Sequence, residues 1–249
     1  MANSLPKITI IVAVFNGAKT LQKCLDSIAK QSYQHKELIV IDGRSTDSTV
    51  DILKANQEQI SYWISEPDNG IYDAWNKALK QVNGEWVVFL GADDIFLPNA
   101  LQDYADYLLA HQNETFDYVS SKVNLVNDTK VIRTIGKPWS WNAFRRYMNV
   151  AHVGSLHNKL LYERYGVYDT SYKICADYEL LLRPRARLKA GFLDIVTVNM
   201  RVGGASDSIA ALHETERAKV VSGGRNALRA RIENRFAIFR MHIRKSIWY

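Results

Sequence analysis

"KITIIVAVFNGAKTLQKCLDSIAKQSYQHKELIVID", residues 7–42, decides the fold class. Lys7 to Val14 is an apolar run rich in Ile and Val, the composition of a strand buried on both faces. Asn16-Gly17 breaks the run. Leu21, Leu25 and Ile28 then recur at helical spacing to near Ser32, and "HKELIVID" is a second strand ending on Asp42. A strand, a crossover helix and a second strand make a right-handed βαβ unit with parallel strands.

The pattern continues outward. "GRSTDST" (43–49) is a loop in which Ser45, Thr46 or Asp47 can cap a helix over roughly 48–58. "ISYWISE" (60–66) is a third strand, Pro67 to Gly70 a turn, 71–82 a helix and "EWVVFLG" (85–91) a fourth strand. The expected fold is therefore α/β, a Rossmann-like, mostly parallel sheet flanked by helices. Such sheets hold ligands at the carboxyl ends of their strands. Asn16, Asp42 and the segment Gly91–Asp94 all follow strand ends and can face one crevice. The later chain is less regular. It offers a helix over 98–111, strands "FDYVSSKVNLV" and "TKVIRTIG" joined at Asn127-Asp128, a helix in "ADYELLLRPRARLKAG" that Pro184 ends or kinks, a late strand "FLDIVTVNMRV" and a helical C-terminal region.

The 249 residues, 47% hydrophobic, suit one large domain with at most a small appendage. Two cysteines, Cys24 and Cys175, form neither a disulfide framework nor a CxxC, so both are expected reduced. The apolar run near the N-terminus has no basic leader or cleavage site and is too short to span a bilayer, which reads as cytoplasmic. Neither GxGxxG nor a P-loop follows the first strand, so dinucleotide binding and Walker-type ATP hydrolysis are set aside.

The net charge of +6 is uneven: residues 217–249 carry nine Lys/Arg against the single acid Glu233. Leu228, Ile232, Phe236, Phe239, Ile243 and Ile247 recur there at three- or four-residue steps beside Arg229, Arg231, Arg235, Arg240, Arg244 and Lys245. A basic amphipathic helix over 225–249 fits an anionic inner-leaflet membrane surface; the same stripe also fits packing on its own domain or on a homodimer partner. No nucleic-acid-binding module surrounds the basic residues, so nucleic acid is not an expected partner.

Adjacent Asp93 and Asp94 at a strand end suit a hard divalent cation, which takes one or two carboxylates and completes its shell with water and phosphates; the pair equally suits capping of the next helix. Three segments carry more: "VAVFNGAKTLQKCLDSIAKQSYQHKELIVIDGRSTDSTVDIL", "SEPDNGIYDAWNKAL" and "GEWVVFLGADDIFLP", followed by "HVGSLHNKLLYERYGVYDTSYKICADYELLLR" and "VGGAS". In this order and spacing they resemble glycosyltransferase family 2, in particular a bacterial branch that builds surface polysaccharides. The resemblance covers roughly residues 7–206.

That resemblance implies a GT-A fold over 1–206, with a nucleotide-sugar half (1–97) and an acceptor half (98–206), followed by a basic helical extension over 207–249. It implies an inverting enzyme that moves one sugar from a nucleotide-diphosphate-sugar to a hydroxyl of a glycan or lipid-linked glycan, assisted by Mn²⁺ or Mg²⁺. Ala13, Val14 and Phe15 would line the nucleobase and ribose through their backbone, and Asp42 matches the first acid of the family's Asp-Asp-Gly-Ser loop. Asp93 would hold the metal with Asp94 beside it, and Asp177 in "ADYE" matches the proposed general base. His152 matches a family histidine that would contact the acceptor or the diphosphate, and equally fits a satisfied structural histidine; Ala176 is the other acceptor-side candidate. Asn16, Arg44, Asp73 and Asn76 are further donor-side candidates; Asp73 and Asn76 lie one helical turn apart and also fit a surface hydrogen-bond pair, and Arg44 also fits a solvated loop residue.

Four features depart from the family pattern. Gly91 stands where many members have the first Asp of DxD, Gly43 replaces the second acid of the nucleobase loop, Ala176 replaces the Glu before the base, and the QxxRW motif of processive synthases is absent. The last favours single-sugar addition. Gly91 and Ala176 also motivate the alternative of a non-catalytic nucleotide-sugar or glycan-binding protein.

Overall fold

The computed structural model describes residues 5–128, 130–204 and 208–248, with side chains described up to Met241. Thr129 of the second predicted hairpin strand, Ala205 and Ser206 of "VGGAS", and the side chains of Ile243, Arg244, Lys245, Ile247, Trp248 and Tyr249 lie outside that description.

The first half alternates as expected: β1 (Ile8–Val14), α1 (Leu21–Ala29), β2 (Lys36–Asp42), α2 (Thr49–Ala55), β3 (Tyr62–Ser65), α3 (Ile71–Leu79) and β4 (Trp86–Gly91). Then follow β5 (Ile95–Phe96), α4 (Ala100–Ala110), β6 (Tyr118–Asn127), β7 (Lys130–Ile135) and α5 (Trp141–Phe144). The chain closes with β8 (Leu156–Asn158), α6 (Lys159–Tyr165), α7 (Ala176–Leu182), β9 (Ala190–Arg201), α8 (Ile209–Val221) and α9 (Ala227–Trp248). One sheet runs β3-β2-β1-β4-β8-β6-β9-β5, with β7 on β6. Its parallel character resides in β3-β2-β1-β4 and in the β6/β9 pair. The remaining pairs, β4/β8, β6/β8, β5/β9 and β6/β7, are antiparallel.

Both faces of the sheet are covered, which explains the unbroken apolar runs. Ile8, Ile10, Val12 and Val14 point to one core, with Leu21, Leu25 and Ile28 of α1 and Leu101 and Tyr104 of α4. Ile11 points to the other, with Trp75 and Ala78 of α3 and Leu180 to Leu182 of α7. The period of two sends neighbouring side chains of β1 into different layers.

β5 and β8 have two and three residues, too few for a periodic signal. Pro184 ends α7 rather than kinking it: the helix stops at Leu182 and a single 3₁₀ turn follows over Arg185–Arg187. The expected boundary between 206 and 207 falls in a segment outside the description, and α8, expected in the extension, rests directly on α7. Cys24 and Cys175 are both unpaired thiols in the interior.

Candidate active site

The carboxyl ends of β1, β2 and β3 are laced into one rim. Asp42 is fully buried; its Oδ2 accepts the Ser45 N–H at 3.0 Å and the Ser65 hydroxyl at 2.5 Å, and its Oδ1 accepts the Ser45 hydroxyl at 2.5 Å. Its carboxylate thus shapes the 43–47 loop. Asn16 sits in the left-handed region (φ 50°), and its Oδ1 accepts the Thr46 N–H at 2.8 Å while its own N–H meets Ser45 Oγ at 2.7 Å. Of the three candidates only Asp47 reaches the helix start, accepting the N–H of Thr49, first residue of α2, at 3.0 Å from one position before the N-cap Ser48. Arg44, also left-handed (φ 63°), is held out into solvent. Asn16 and Asp42 therefore build the rim, and Phe15, 64% exposed, is the ring that stands on it.

Beside Phe15 lies a residue that sequence reasoning missed. A Cβ added at Gly43 would come 2.5 Å from Asp68 Oδ2 and 3.5 Å from the Phe15 ring. The Asp68 carboxyl, from the turn between β3 and α3, thus fills the space that a side chain at 43 would take. Asp68 also accepts the Gly70 N–H at 2.9 Å. Only the spatial complement of Gly43 and Asp68 reveals the match; nothing in their spacing does.

The two acids after β4 have different positions. Asp94 is buried, with Oδ2 accepting the Gly91 N–H at 3.1 Å and Oδ1 the Arg201 N–H at 3.0 Å, so it ties β4 to β9. Burial, and next the negative charge of Asp93, push its carboxyl up to about 7. Asp93 is exposed. Asp94 therefore spends its oxygens on backbone, and Asp93 is the carboxylate open to a ligand. A side chain at Gly91 would meet Asp94 Oδ2 at 2.5 Å and Asp93 Oδ1 at 3.0 Å, so this arrangement has no room for a third acid there.

On α3, Asp73 and Asn76 are not a pair. Asp73 accepts the Asn69 N–H at 2.9 Å, closing the 67–70 turn. Asn76 clamps the backbone of Tyr168, donating to its carbonyl at 2.8 Å and accepting its N–H at 3.0 Å. One amide N–H and one oxygen lone pair are thereby spent on a chain segment 92 residues away, so Asn76 holds the Tyr168 segment against α3.

Asp177 opens α7. It is partly buried, and its Oδ1 lies 3.0 Å from the hydroxyl of Tyr72, which lies 2.5 Å from the carbonyl of Ile174. The phenol has one proton for two acceptors. When Asp177 is ionised that proton turns to it; when Asp177 is protonated, the carboxylic acid can donate to the phenol. Burial pushes this carboxyl up to about 6, while hydrogen bonds from the Tyr178 backbone and the Tyr72 side chain hold it down. Ala176 is fully buried, so its methyl group is core and offers an acceptor nothing to bind.

The segment before α7 is pinned from α8. Glu214 accepts the Lys173 N–H at 2.7 Å on one oxygen, and those of Ile174 and Cys175 at 2.8 and 2.9 Å on the other. No sequence motif marked Glu214. Hydrogen bonds to a charged group contribute about 1.5–3 kcal/mol each, partly offset by water once the loop opens. Glu214→Ala is expected to cost about 2–3 kcal/mol in urea unfolding and to lower turnover with nucleotide affinity unchanged.

Beneath the site, Trp75, Phe89, Tyr162, Tyr168, His152 and His157 form one buried aromatic cluster. The His152 ring stacks on Trp75 with centroids 5.1 Å apart and its Nε2 lies 3.2 Å from the Tyr168 hydroxyl. Burial pushes His152 down to about 3 and His157 well below its ordinary value, so both are neutral. His152 is thus a packed structural histidine in this geometry, with no charge to offer a diphosphate. Trp139 packs on Phe144 with ring centroids 4.2 Å apart and planes tilted by 39°, and Trp139 and Trp141 both pack on the same core.

Among the described residues no group of three or more His, Cys, Asp or Glu gathers as a metal cage. The donor set still fits a cation that takes one carboxylate, Asp93, and fills its shell from a substrate diphosphate and water.

The family model for glycosyl transferase family 2 matches residues 9–164. A PGL/p-HBAD biosynthesis glycosyltransferase of Mycobacterium bovis is 28% identical over 217 residues, covering 82% of this chain and 80% of that protein. An uncharacterized glycosyltransferase of Mycobacterium tuberculosis is 32% identical over 183 residues, 72% of this chain and 69% of its own length. Among solved structures, S. aureus TarS 1–349 in complex with UDP superposes with a TM-score of 0.68 at 20% identity, over 90% of this chain and 68% of that one. A mannosyltransferase, PcManGT from Pyrobaculum calidifontis, in complex with GDP-Man and Mn²⁺, gives 0.65 at 20% identity, over 92% and 70%.

Proposed function

The chain belongs to glycosyl transferase family 2 and is a GT-A glycosyltransferase, and we propose that it transfers a single sugar with inversion from a nucleotide-diphosphate-sugar to a hydroxyl of a glycan or lipid-linked glycan. The observation that carries this reading is Asp177: a partly buried carboxyl, pushed up to about 6 and hydrogen-bonded by Tyr72. A base near its working pH both exists in the ionised form and accepts a proton well. The acceptor oxygen attacks the anomeric carbon as the bond to the diphosphate oxygen breaks, and the hydroxyl proton passes to Asp177. One such displacement inverts the centre.

Donor binding falls to the rim. Phe15 offers a ring face for the nucleobase, the backbone of Ala13 and Val14 lines the floor, and the Asp68 carboxyl can accept a base N–H where Gly43 offers none. Mn²⁺ or Mg²⁺ held by Asp93 and the diphosphate would neutralise the charge that develops on the leaving group. The proposed setting is the cytoplasm; among the described residues no helix is long and apolar enough to cross a membrane.

The pH dependence has a definite sign. The ionised carboxylate is the active form, so turnover is expected to fall about tenfold per unit below pH about 6. The Tyr72 hydroxyl holds the Asp177 pKa down, so Tyr72→Phe should move this acid limb to higher pH. A pH–rate profile of both proteins, read as nucleoside-diphosphate release, measures it. Release from UDP- and GDP-sugars also tests the function itself. Slow, metal-dependent release supports a transferase, whereas binding of a donor without any turnover, with or without glycan acceptors, would leave a binding protein in its place.

A further inference from the structure

The C-terminal helix α9 turns its apolar stripe away from the protein. It packs on α8, and Ala230, Asn234 and Met241 are buried on its inner side. Asn234 donates to Glu216 at 2.7 Å. Glu233 takes the Arg225 guanidinium and lies 3.6 Å from Lys219. At 100° per residue these positions share one side of the helix, and Leu228, Ile232, Phe236 and Phe239 share the opposite side. The latter four are 67%, 59%, 61% and 60% exposed. Arg229 and Arg240 run along one edge of the stripe, Arg231 and Arg235 along the other, and all four are exposed. Glu233, the one acid of the helix, faces the packed side.

We infer that α9 docks the enzyme on an anionic lipid bilayer, with the stripe entering the boundary between headgroups and acyl chains and the arginines meeting lipid phosphates. An apolar face of this size on a water-soluble surface marks an interaction site. Charge decides the occupant. Two copies of the face would bring arginine rows against arginine rows, which is costly. Anionic headgroups complement both rows at once, at about 1 kcal/mol per arginine near the surface. The inference rests on the transfer reading only for its purpose, bringing the site to a lipid-linked acceptor; bilayer binding itself is measured without donor or acceptor.

The test is flotation of the full chain with vesicles of phosphatidylcholine alone or mixed with phosphatidylglycerol. Wild-type protein should float with the mixed vesicles and be released by high salt. Phe236→Ser/Phe239→Ser should lower bound protein by roughly tenfold or more, and Arg235→Gln/Arg240→Gln by about fivefold per residue. All four side chains are solvent-facing, so the melting curves of the variants should match wild type. Absence of flotation on mixed vesicles, or equal flotation of all three proteins, would overturn the inference. So would a dimer in light scattering that the phenylalanine variant abolishes without any vesicle binding, which would assign the stripe to a second copy.

Discussion

Asp177→Asn is expected to lose sugar transfer by about a hundredfold or more while nucleotide binding stays at the wild-type level. The amide matches the carboxylate in shape and still contacts the Tyr72 hydroxyl, so the start of α7 keeps its place. It cannot take a proton from the attacking hydroxyl. The effect therefore falls on turnover, with the nucleotide dissociation constant unchanged. The substitution removes a carboxyl whose desolvation is its largest perturbation, so the variant should be no less stable to heat than wild type. Transfer within about twofold of wild type would remove Asp177 from the role of base.

Asp93→Ala is expected to abolish the metal dependence of nucleotide binding and to cost about a hundredfold in transfer. Among the described residues no other open acid adjoins the end of β4, because Asp94 is committed to the Gly91 and Arg201 N–H groups. Loss of one preorganised stabiliser of leaving-group charge typically costs about 10²–10³ in rate. The control is Asp94→Asn, which should act on stability: its amide oxygen still accepts from one backbone N–H, while its NH2 faces the other N–H donor and cannot bond it. Calorimetric titration of the nucleotide with and without Mn²⁺ separates the two carboxylates. Equal metal dependence in Asp93→Ala and wild type would move the cation elsewhere.

How far the sequence carries depends on the distance over which a feature is set. The parallel half was legible because its signals are local: apolar runs for β1, β2 and β4, and helical spacing of Leu21, Leu25 and Ile28 for α1. The candidate residues could be picked out in the sequence, but not what each side chain holds in the fold. "ADD" does not say which carboxylate is spent on backbone; that is decided by the Arg201 N–H, which arrives 107 residues later. Asn76 reads as a surface amide until Tyr168 is seen against it. Glu214 belongs to no motif, yet it holds three backbone N–H groups ahead of Asp177. Asp68 is visible only as the filler of the space beside Gly43. The tail showed its stripe in sequence, but which face packs is seen only in the burial of Ala230, Asn234 and Met241 and in the Asn234 bond to Glu216 of α8.

The central claim is a metal-assisted nucleotide-diphosphate site at the carboxyl ends of β1 to β4, with Phe15 and Asp68 on the nucleobase side and Asp93 on the diphosphate side. A thermal-shift comparison of UDP, GDP, dTDP and CMP on the full chain, each with and without Mn²⁺, tests it most directly. One diphosphate should stabilise the protein in the presence of Mn²⁺, by about 2.7 kcal/mol at a hundred times its Kd, and much less without the metal. Absence of any shift with every diphosphate, in the presence of Mn²⁺, would contradict the account.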